Sequence, residues 1–162
     1  MAVLIVIISA GSVSAEEVSY MKLKSPAFEN NNNIPKRFTC DGEGVNPPLE
    51  IENIPNGAKS LALIVDDPDA PMGTFVHWVV YDIPIVTKIE ENSVPGKQGV
   101  NTMRGKNWVS PCPPSGTHRY IFKLYALDTE LKLKDGADKR AVEKAMESHV
   151  LGKAELIGLY KR

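Results

Sequence analysis

Two of the three histidines in this chain lie in or beside short proline-rich segments that also carry carboxylates and a phenol. The first segment is Asp66-Asp67-Pro68-Asp69-Ala70-Pro71, and His77 lies in the apolar run that follows it. The second is Pro111-Cys112-Pro113-Pro114-Ser115-Gly116-Thr117-His118-Arg119-Tyr120. Each proline ring fixes φ, so groups mounted on such loops are held in place at little further entropic cost. The pattern predicts a small, rigid binding site.

Asp67 and His77 are candidates for a carboxylate–imidazole pair in this site. The connection between them is short, so pairing of two antiparallel strands would bring them together. A carboxylate beside an imidazole fixes its tautomer and raises its pKa, which favours the imidazolium form that binds anions. The alternative is that His77 is a hydrogen-bonded core residue and that the proline loop is an ordinary surface turn.

His118 and Tyr120 are two residues apart at the start of an apolar run, so on a strand they project to the same face. Nearby backbone N–H groups at Ser115 to Thr117 add further donors. Together with His77, these groups predict a compact pocket for phosphate, sulfate or carboxylate. The alternative is that the imidazole and phenol simply pack at a strand edge.

Strand-like runs dominate the rest of the chain and must position these groups. They are Val18 to Leu23, Leu49 to Ile54, Ser60 to Val65, Val76 to Ile83, Tyr120 to Leu127 and Ala154 to Tyr160. Their number and spacing predict an all-β fold, an antiparallel Greek-key sandwich. One main helix is predicted near the C-terminus, from about Asp138, its N-cap, to His149. A surface loop is predicted for Val94 to Asn107.

Composition narrows the functional classes. The 162 residues are 43% hydrophobic and 24% charged, which fits one folded domain. The formal net charge of −1 gives no global positive field of the kind that attracts nucleic acid. Nucleic acid is therefore not an expected partner.

The first fifteen residues differ from the rest, because the apolar run Ala2 to Ile8 is followed by Val13-Ser14-Ala15, which resembles a signal-peptidase site. We expect residues 1–15 to be a signal peptide, residues 16–162 to form a single domain, and the mature protein to be periplasmic or extracellular. The alternative is an apolar first strand in a cytoplasmic protein. In an exported chain Cys40 and Cys112 are candidates for a disulfide; otherwise they would be buried free thiols.

The two proline-rich segments and His77 closely resemble the signature of the phosphatidylethanolamine-binding protein family, which includes the Raf kinase inhibitor proteins. Further matches are Phe38 to Gly42, Pro47 to Leu49, Gly99 to Asn101 and His149 to Leu156, which are similar to the bacterial and archaeal branch. The resemblance covers about residues 20 to 160. It implies a β-sandwich with a small pocket at one end that binds phosphate-bearing head groups or simple anions.

Carried over by position, the resemblance implies a set of pocket residues. They are Asp67, Pro71, His77, Pro111, Pro113, His118 and Tyr120, with Cys112 alongside. Two positions depart from the prokaryotic pattern, because Ser110 replaces the usual Gly and Trp108 stands where Tyr is frequent. Ser110 would narrow the pocket mouth or add a donor, so the preferred ligand stays open.

The resemblance implies a non-enzymatic binding protein without a cofactor, which captures a phosphate-type anion or lipid head group and modulates a protein kinase or serine protease. A hydrolase using Asp67, His77 or His118 with Ser110 or Ser115 is the alternative, although no G-x-S-x-G turn is present. A third hypothesis is a protease inhibitor that acts through the 94–107 loop. No short histidine or cysteine spacing indicates a metal site.

Overall fold

The computed structural model of the protein describes residues 20–162, so the predicted signal peptide lies outside the described residues. In chain order the strands are β1 (Lys22–Lys24), β2 (Asn32–Asn33), β3 (Leu49–Glu52), β4 (Ser60–Asp67), β5 (Phe75–Ile83), β6 (Lys88–Ile89), β7 (Lys97–Gln98), β8 (Thr117–Leu127) and β9 (Val150–Lys161). The helix α1 (Lys139–Met146) precedes β9. The predicted all-β fold with one main helix near the C-terminus is confirmed.

The strands form two sheets, with the order β1-β3-β6 in the smaller and β2-β9-β8-β4-β5-β7 in the larger. Pairing is antiparallel throughout except for the short contact of β2 with β9. Six of these strands are predicted from the sequence, whereas the two-residue strands β2, β6 and β7 are not. Such short segments carry too few residues for an alternation pattern to show.

The nearly continuous apolar runs Leu61 to Val65 and Val76 to Tyr81 predict strands buried on both faces, and the larger sheet is buried on both faces at its centre. Every residue of β4 is buried. Leu61, Leu63 and Val65 belong to the main core between the two sheets. Ala62 and Ile64 point the other way and pack in a second cluster with residues of α1. Alternation along one strand therefore supplies both cores.

Helix α1 covers the outer face of the larger sheet, and Val142 and Met146 are its buried residues. Asp138 is its N-cap, as predicted, and its side chain accepts a hydrogen bond from the backbone N–H of Ala141 at 2.8 Å. The predicted helix end at His149 is wrong, because α1 ends at Met146. The residues from Val150 onward pair with β8 instead, and this ladder satisfies their backbone groups.

The segment 94–107 is only partly a loop. Its β7 residues pair with β5, and Asn101 is buried at 5% exposure. The Asn101 amide donates to the backbone oxygen of Asn107 at 2.9 Å and accepts from the N–H of Gly105 at 3.0 Å. Val94 and Met103 remain exposed on this anchored segment. Among residues 20–162, no helix is long and apolar enough to cross a membrane.

Three central strands meet at one end of the larger sheet. β4 ends at Asp67, β5 begins at Phe75 and β8 begins at Thr117. Because β4 runs antiparallel to both neighbours, these three termini lie at the same edge, with Asp67 opposite Phe75 and Asp66 opposite Ile121. This register brings both proline-rich segments to that edge.

Candidate functional site

A cavity of about 230 Å³ lies at this end of the sheet. It is lined by Asp67, Ala70, Pro71, Phe75, His77, Val109, Ser110, Cys112, Pro113, Pro114, His118 and Tyr120. Seven of the eight residues predicted for the pocket are among them. The exception is Pro111, which is buried behind the wall, where its carbonyl oxygen accepts a hydrogen bond from the Cys40 N–H at 3.0 Å.

The carboxylate–imidazole pair of the site is Asp67 with His118. His118 Nδ1 lies 2.7 Å from Asp67 Oδ2, and both side chains are less than one tenth exposed. The prediction that Asp67 pairs with His77 is therefore wrong. Asp67 Oδ1 accepts from the backbone N–H of Asp69 at 2.8 Å, so both carboxylate oxygens have partners. The acceptor at Oδ2 holds the proton on Nδ1 of His118.

His77 takes a different partner, because its Nδ1 lies 2.7 Å from the carbonyl oxygen of Val109. A carbonyl only accepts, so Nδ1 carries the proton. Burial of the ring lowers the pKa of His77 below its ordinary value, against the opposing effects of the Val109 hydrogen bond and of Asp67. The predicted rise of this pKa is thus also wrong, and His77 is neutral at pH 7.

The two histidines therefore present the same nitrogen to a ligand. In each ring Nδ1 is committed to an acceptor of the protein, which leaves Nε2 as the remaining nitrogen. In the neutral ring this Nε2 accepts a hydrogen bond, and in the imidazolium it donates one. Both rings line the cavity, so the protonation state of each imidazole decides whether its Nε2 accepts a hydrogen bond from a ligand or donates one to it.

Tyr120 adds a third polar group. Its ring centroid is 5.1 Å from that of His77. The hydroxyl is buried and has no hydrogen-bond partner among the described residues. Burial raises the pKa of Tyr120, so the phenol stays protonated and keeps its donor. A buried hydroxyl without a partner costs about 1–3 kcal/mol, and this hydroxyl is free to form a hydrogen bond to a molecule in the cavity.

An ion pair outside the cavity fixes the turn that carries Asp67. Arg119 does not line the cavity, and its guanidinium makes two hydrogen bonds to the carboxylate of Asp69, at 2.7 and 2.9 Å. These bonds lower the pKa of Asp69 to about 2. The backbone N–H of Asp69 in turn donates to Asp67. The Arg119–Asp69 ion pair therefore helps to position the Asp67 carboxylate.

A disulfide between Cys40 and Cys112 ties the second proline-rich wall to the loop after Phe38. Cys112 lines the cavity, and Arg162 donates to its Sγ at 3.4 Å. The backbone N–H of Gly116 donates to the carbonyl oxygen of Arg162, so it does not supply the cavity donor that we expected.

Sequence reasoning missed several lining residues, of which Phe75 is the largest. Its ring centroid is 4.7 Å from that of His77. Phe75 and His77 are two apart on β5, so the alternation that placed His118 beside Tyr120 could also have placed this pair. Ser110, noted for its departure from the family pattern, also lines the cavity, together with Ala70, Val109 and Pro114.

The lowered pKa of His77 predicts a pH-dependent stability. In the unfolded chain the ring takes up a proton near its ordinary pKa of 6.5, whereas burial disfavours that proton in the folded protein. The contribution of His77 is fully present above pH 6.5 and is lost as the pH falls from there toward the folded-state pKa. We expect His77→Asn, which keeps a donor toward Val109, to flatten this loss in urea unfolding between pH 7 and 5. An unchanged pH profile would contradict the assignment, and His149→Asn is the control.

A family model described as Phosphatidylethanolamine-binding protein matches residues 24–161. The chain belongs to this family. The UPF0098 protein of Methanothermobacter thermautotrophicus is 51% identical over 150 residues, which cover 88% of this chain and 99% of that protein.

Two solved structures of phosphatidylethanolamine-binding protein homologues share the fold. One, from Chlamydia trachomatis, has a TM-score of 0.86 at 40% identity and covers 88% of this chain and 98% of its own. The other, YbcL of E. coli, has a TM-score of 0.80 at 26% identity and covers 89% and 99%. The resemblance inferred from the motifs is thus confirmed at the level of family and fold.

Proposed function

We propose that this cavity binds a small phosphate-type anion, free or as part of a phospholipid head group, and that the protein is a binding protein without catalytic activity. The observation that carries the proposal is the convergence of His77, His118 and Tyr120 on one cavity. Each brings a polar atom that has no partner within the described protein. The tetrahedral oxygens of a phosphate are suitable partners for several such groups at once.

The electrostatics of the cavity set a condition on this binding. The carboxylate of Asp67 is buried beside it, so an anion needs a compensating positive charge. Protonation of His118 supplies that charge and turns its Nε2 into a donor. His77 Nε2, in the neutral ring, suits a protonated phosphate oxygen. We therefore expect phosphate binding to be accompanied by proton uptake, so that the affinity is higher at pH 6 than at pH 8.

The decisive variant is His118→Asn, whose amide can still donate to Asp67 but which has no atom at the position of Nε2. A charge-assisted hydrogen bond contributes about 1.5–3 kcal/mol, so the affinity for inorganic phosphate at pH 6 should fall about ten- to a hundredfold. Isothermal titration calorimetry at pH 6 and 8 measures both the affinity and its pH dependence.

His149→Asn is the matched control, because His149 also holds a carboxylate, that of Asp128, at 2.7 Å but does not line the cavity. It should bind like the wild type. Phosphoethanolamine and the diester glycerophosphoethanolamine separate a free phosphate monoester from a lipid-type diester. Absence of binding for all three ligands at pH 6, or equal binding by the His118→Asn variant, would refute the proposal.

A hydrolase is the second candidate, because the Asp67–His118 pair has the orientation of the acid and base in a catalytic triad and Ser110 lines the same cavity. Against it, the Ser110 hydroxyl makes no hydrogen bond to either histidine within residues 20–162. Ser115 is exposed and is not part of the wall. An esterase and phosphatase screen with Ser110→Ala distinguishes the two functions, since only turnover lost in this variant would favour the hydrolase.

A further inference from the structure

A second cavity, of about 250 Å³, adjoins the first across Trp108. The Trp108 ring lines the second cavity, and its centroid is 6.3 Å from that of His77, which lines the first. We call the second one the amide cavity, after the Asn46, Asn92, Gln98 and Asn107 side chains in its wall. None of its lining residues carries a charge. Its chemistry is therefore distinct from that of the anion site.

One wall of the amide cavity is held by a buried side chain. Asn46 is 4% exposed, and its amide donates to the carbonyl oxygen of Glu90 at 3.0 Å. Its Oδ1 accepts from the N–H of Ser93 at 3.0 Å, and its backbone oxygen accepts from the N–H of Asn92. These bonds fix the turn that presents Asn92 and Ser93, so this wall is formed before any ligand arrives.

Another part of the wall presents an oriented amide, that of Gln98. The indole N–H of Trp78 donates to Oε1 of Gln98 at 2.8 Å. Since the indole only donates, Gln98 must turn its oxygen toward it, which leaves the NH₂ group as a donor. The side chain of Asn92, an exposed residue, makes no hydrogen bond to the described residues, and the buried indole N–H of Trp108 has no acceptor among them. Several donors and acceptors beside this cavity thus have no hydrogen-bond partner among the described residues.

We propose that the amide cavity binds a neutral, polyhydroxylated ligand of the size of one sugar ring. The absence of charged lining residues disfavours phosphates and carboxylates, which need a compensating charge when they leave water. Amide groups match hydroxyls as donors and acceptors, and the partly buried indole of Trp108 provides an apolar surface for the C–H face of such a ring. At about 30 Å³ per water, the cavity has room for about eight waters, which is too small a volume for a peptide or a lipid chain.

The protein carries its own reporter for this site. Its two tryptophans, Trp78 and Trp108, both line the amide cavity. Intrinsic tryptophan fluorescence therefore reports on it directly. The protein is titrated with D-glucose, D-galactose, D-mannose and myo-inositol. The charged analogues glucuronate and glucosamine are titrated separately into the His118→Asn variant, so that a carboxylate bound at the anion site does not contribute to the emission change. We expect a saturable emission change with at least one neutral compound and a weaker affinity for its charged analogues.

Asn92→Gly tests the wall directly. Asn92 has a φ of 50°, a conformation that glycine adopts without strain, so the variant removes the amide and keeps the turn. Loss of one hydrogen-bonding side chain should lower the affinity for the neutral ligand about tenfold. Asn31→Gly is the matched control, because Asn31 is an exposed asparagine with a φ of 64° that does not line the cavity. Thermal unfolding of both variants verifies that they fold.

Three results would overturn this proposal: no saturable emission change with any neutral compound, equal or tighter binding of the charged analogues, or equal affinities of the folded Asn92→Gly and Asn31→Gly variants. The test is independent of the anion site, because His118→Asn should leave the fluorescence titration unchanged. Failure of either proposed site can thus be recognised separately.

Discussion

Replacing both Cys40 and Cys112 by serine should lower the free energy of unfolding by about 4 kcal/mol. The bond joins residues 72 positions apart, so it removes much loop-closure freedom from the unfolded chain. Guanidinium unfolding of the double variant and of the oxidised wild type measures the difference.

A reductant is the built-in control for this experiment. It should shift the unfolding midpoint of the wild type toward that of the double variant and leave the double variant unchanged. The variant should also bind phosphate more weakly, because Cys112 lines the anion cavity and its wall loses the covalent tie to Cys40. A stability loss of less than about 1 kcal/mol would mean that the bond does not constrain the unfolded chain as expected.

Asp67→Asn should abolish the pH dependence of phosphate binding. In the variant, the amide oxygen must still accept from the N–H of Asp69, so the NH₂ group faces Nδ1 of His118 and donates to it. The neutral ring then carries its proton on Nε2, toward the cavity, and donates without taking up a proton.

The Asp67→Asn variant also loses a buried negative charge beside the cavity, and this loss likewise favours phosphate binding. We expect the affinity of the Asp67→Asn variant for phosphate at pH 8 to exceed that of the wild type about tenfold, since the two effects together amount to about 1–2 kcal/mol. Its affinity should change little between pH 8 and 6, whereas the wild type gains affinity. Calorimetry at both pH values measures this.

Asp128→Asn is the matched control for this change. Asp128 holds Nδ1 of His149 at the same distance of 2.7 Å, outside the cavity, so the substitution should leave phosphate binding unaltered. If Asp67→Asn bound phosphate more weakly than the wild type at pH 8, or kept its pH dependence, the tautomer assignment of His118 would be wrong.

Much of the fold could be predicted from local pattern. The apolar run at Leu61 to Val65 indicated a strand buried on both faces, and the structure has β4 there with every residue buried. Asp138 was predicted as an N-cap because its side chain needs only a nearby backbone donor. The end of α1 was not predictable in this way, since Val150 fits either a helical repeat or a strand until β8 is available as a partner.

The composition of the candidate site was also accessible from the sequence, but its pairing was not. The two-residue period of a strand places His118 and Tyr120 on one face in any register. Which imidazole contacts Asp67 depends on the alignment of three strands, and the nearer one in sequence, His77, was the wrong choice. The burial that lowers the pKa of His77 likewise results from residues far apart in the chain.

The sequence by itself determined which residue types are available, which of them share a face, and to which family the chain belongs. These follow from covalent order and from the periods of helix and strand. Only the tertiary structure decided that Asp67 holds His118, that Val109 holds His77, and that Trp108 separates two cavities of different chemistry. The physical reason is that hydrogen bonds, tautomers and cavities depend on distances between strands, which the register of the whole sheet fixes.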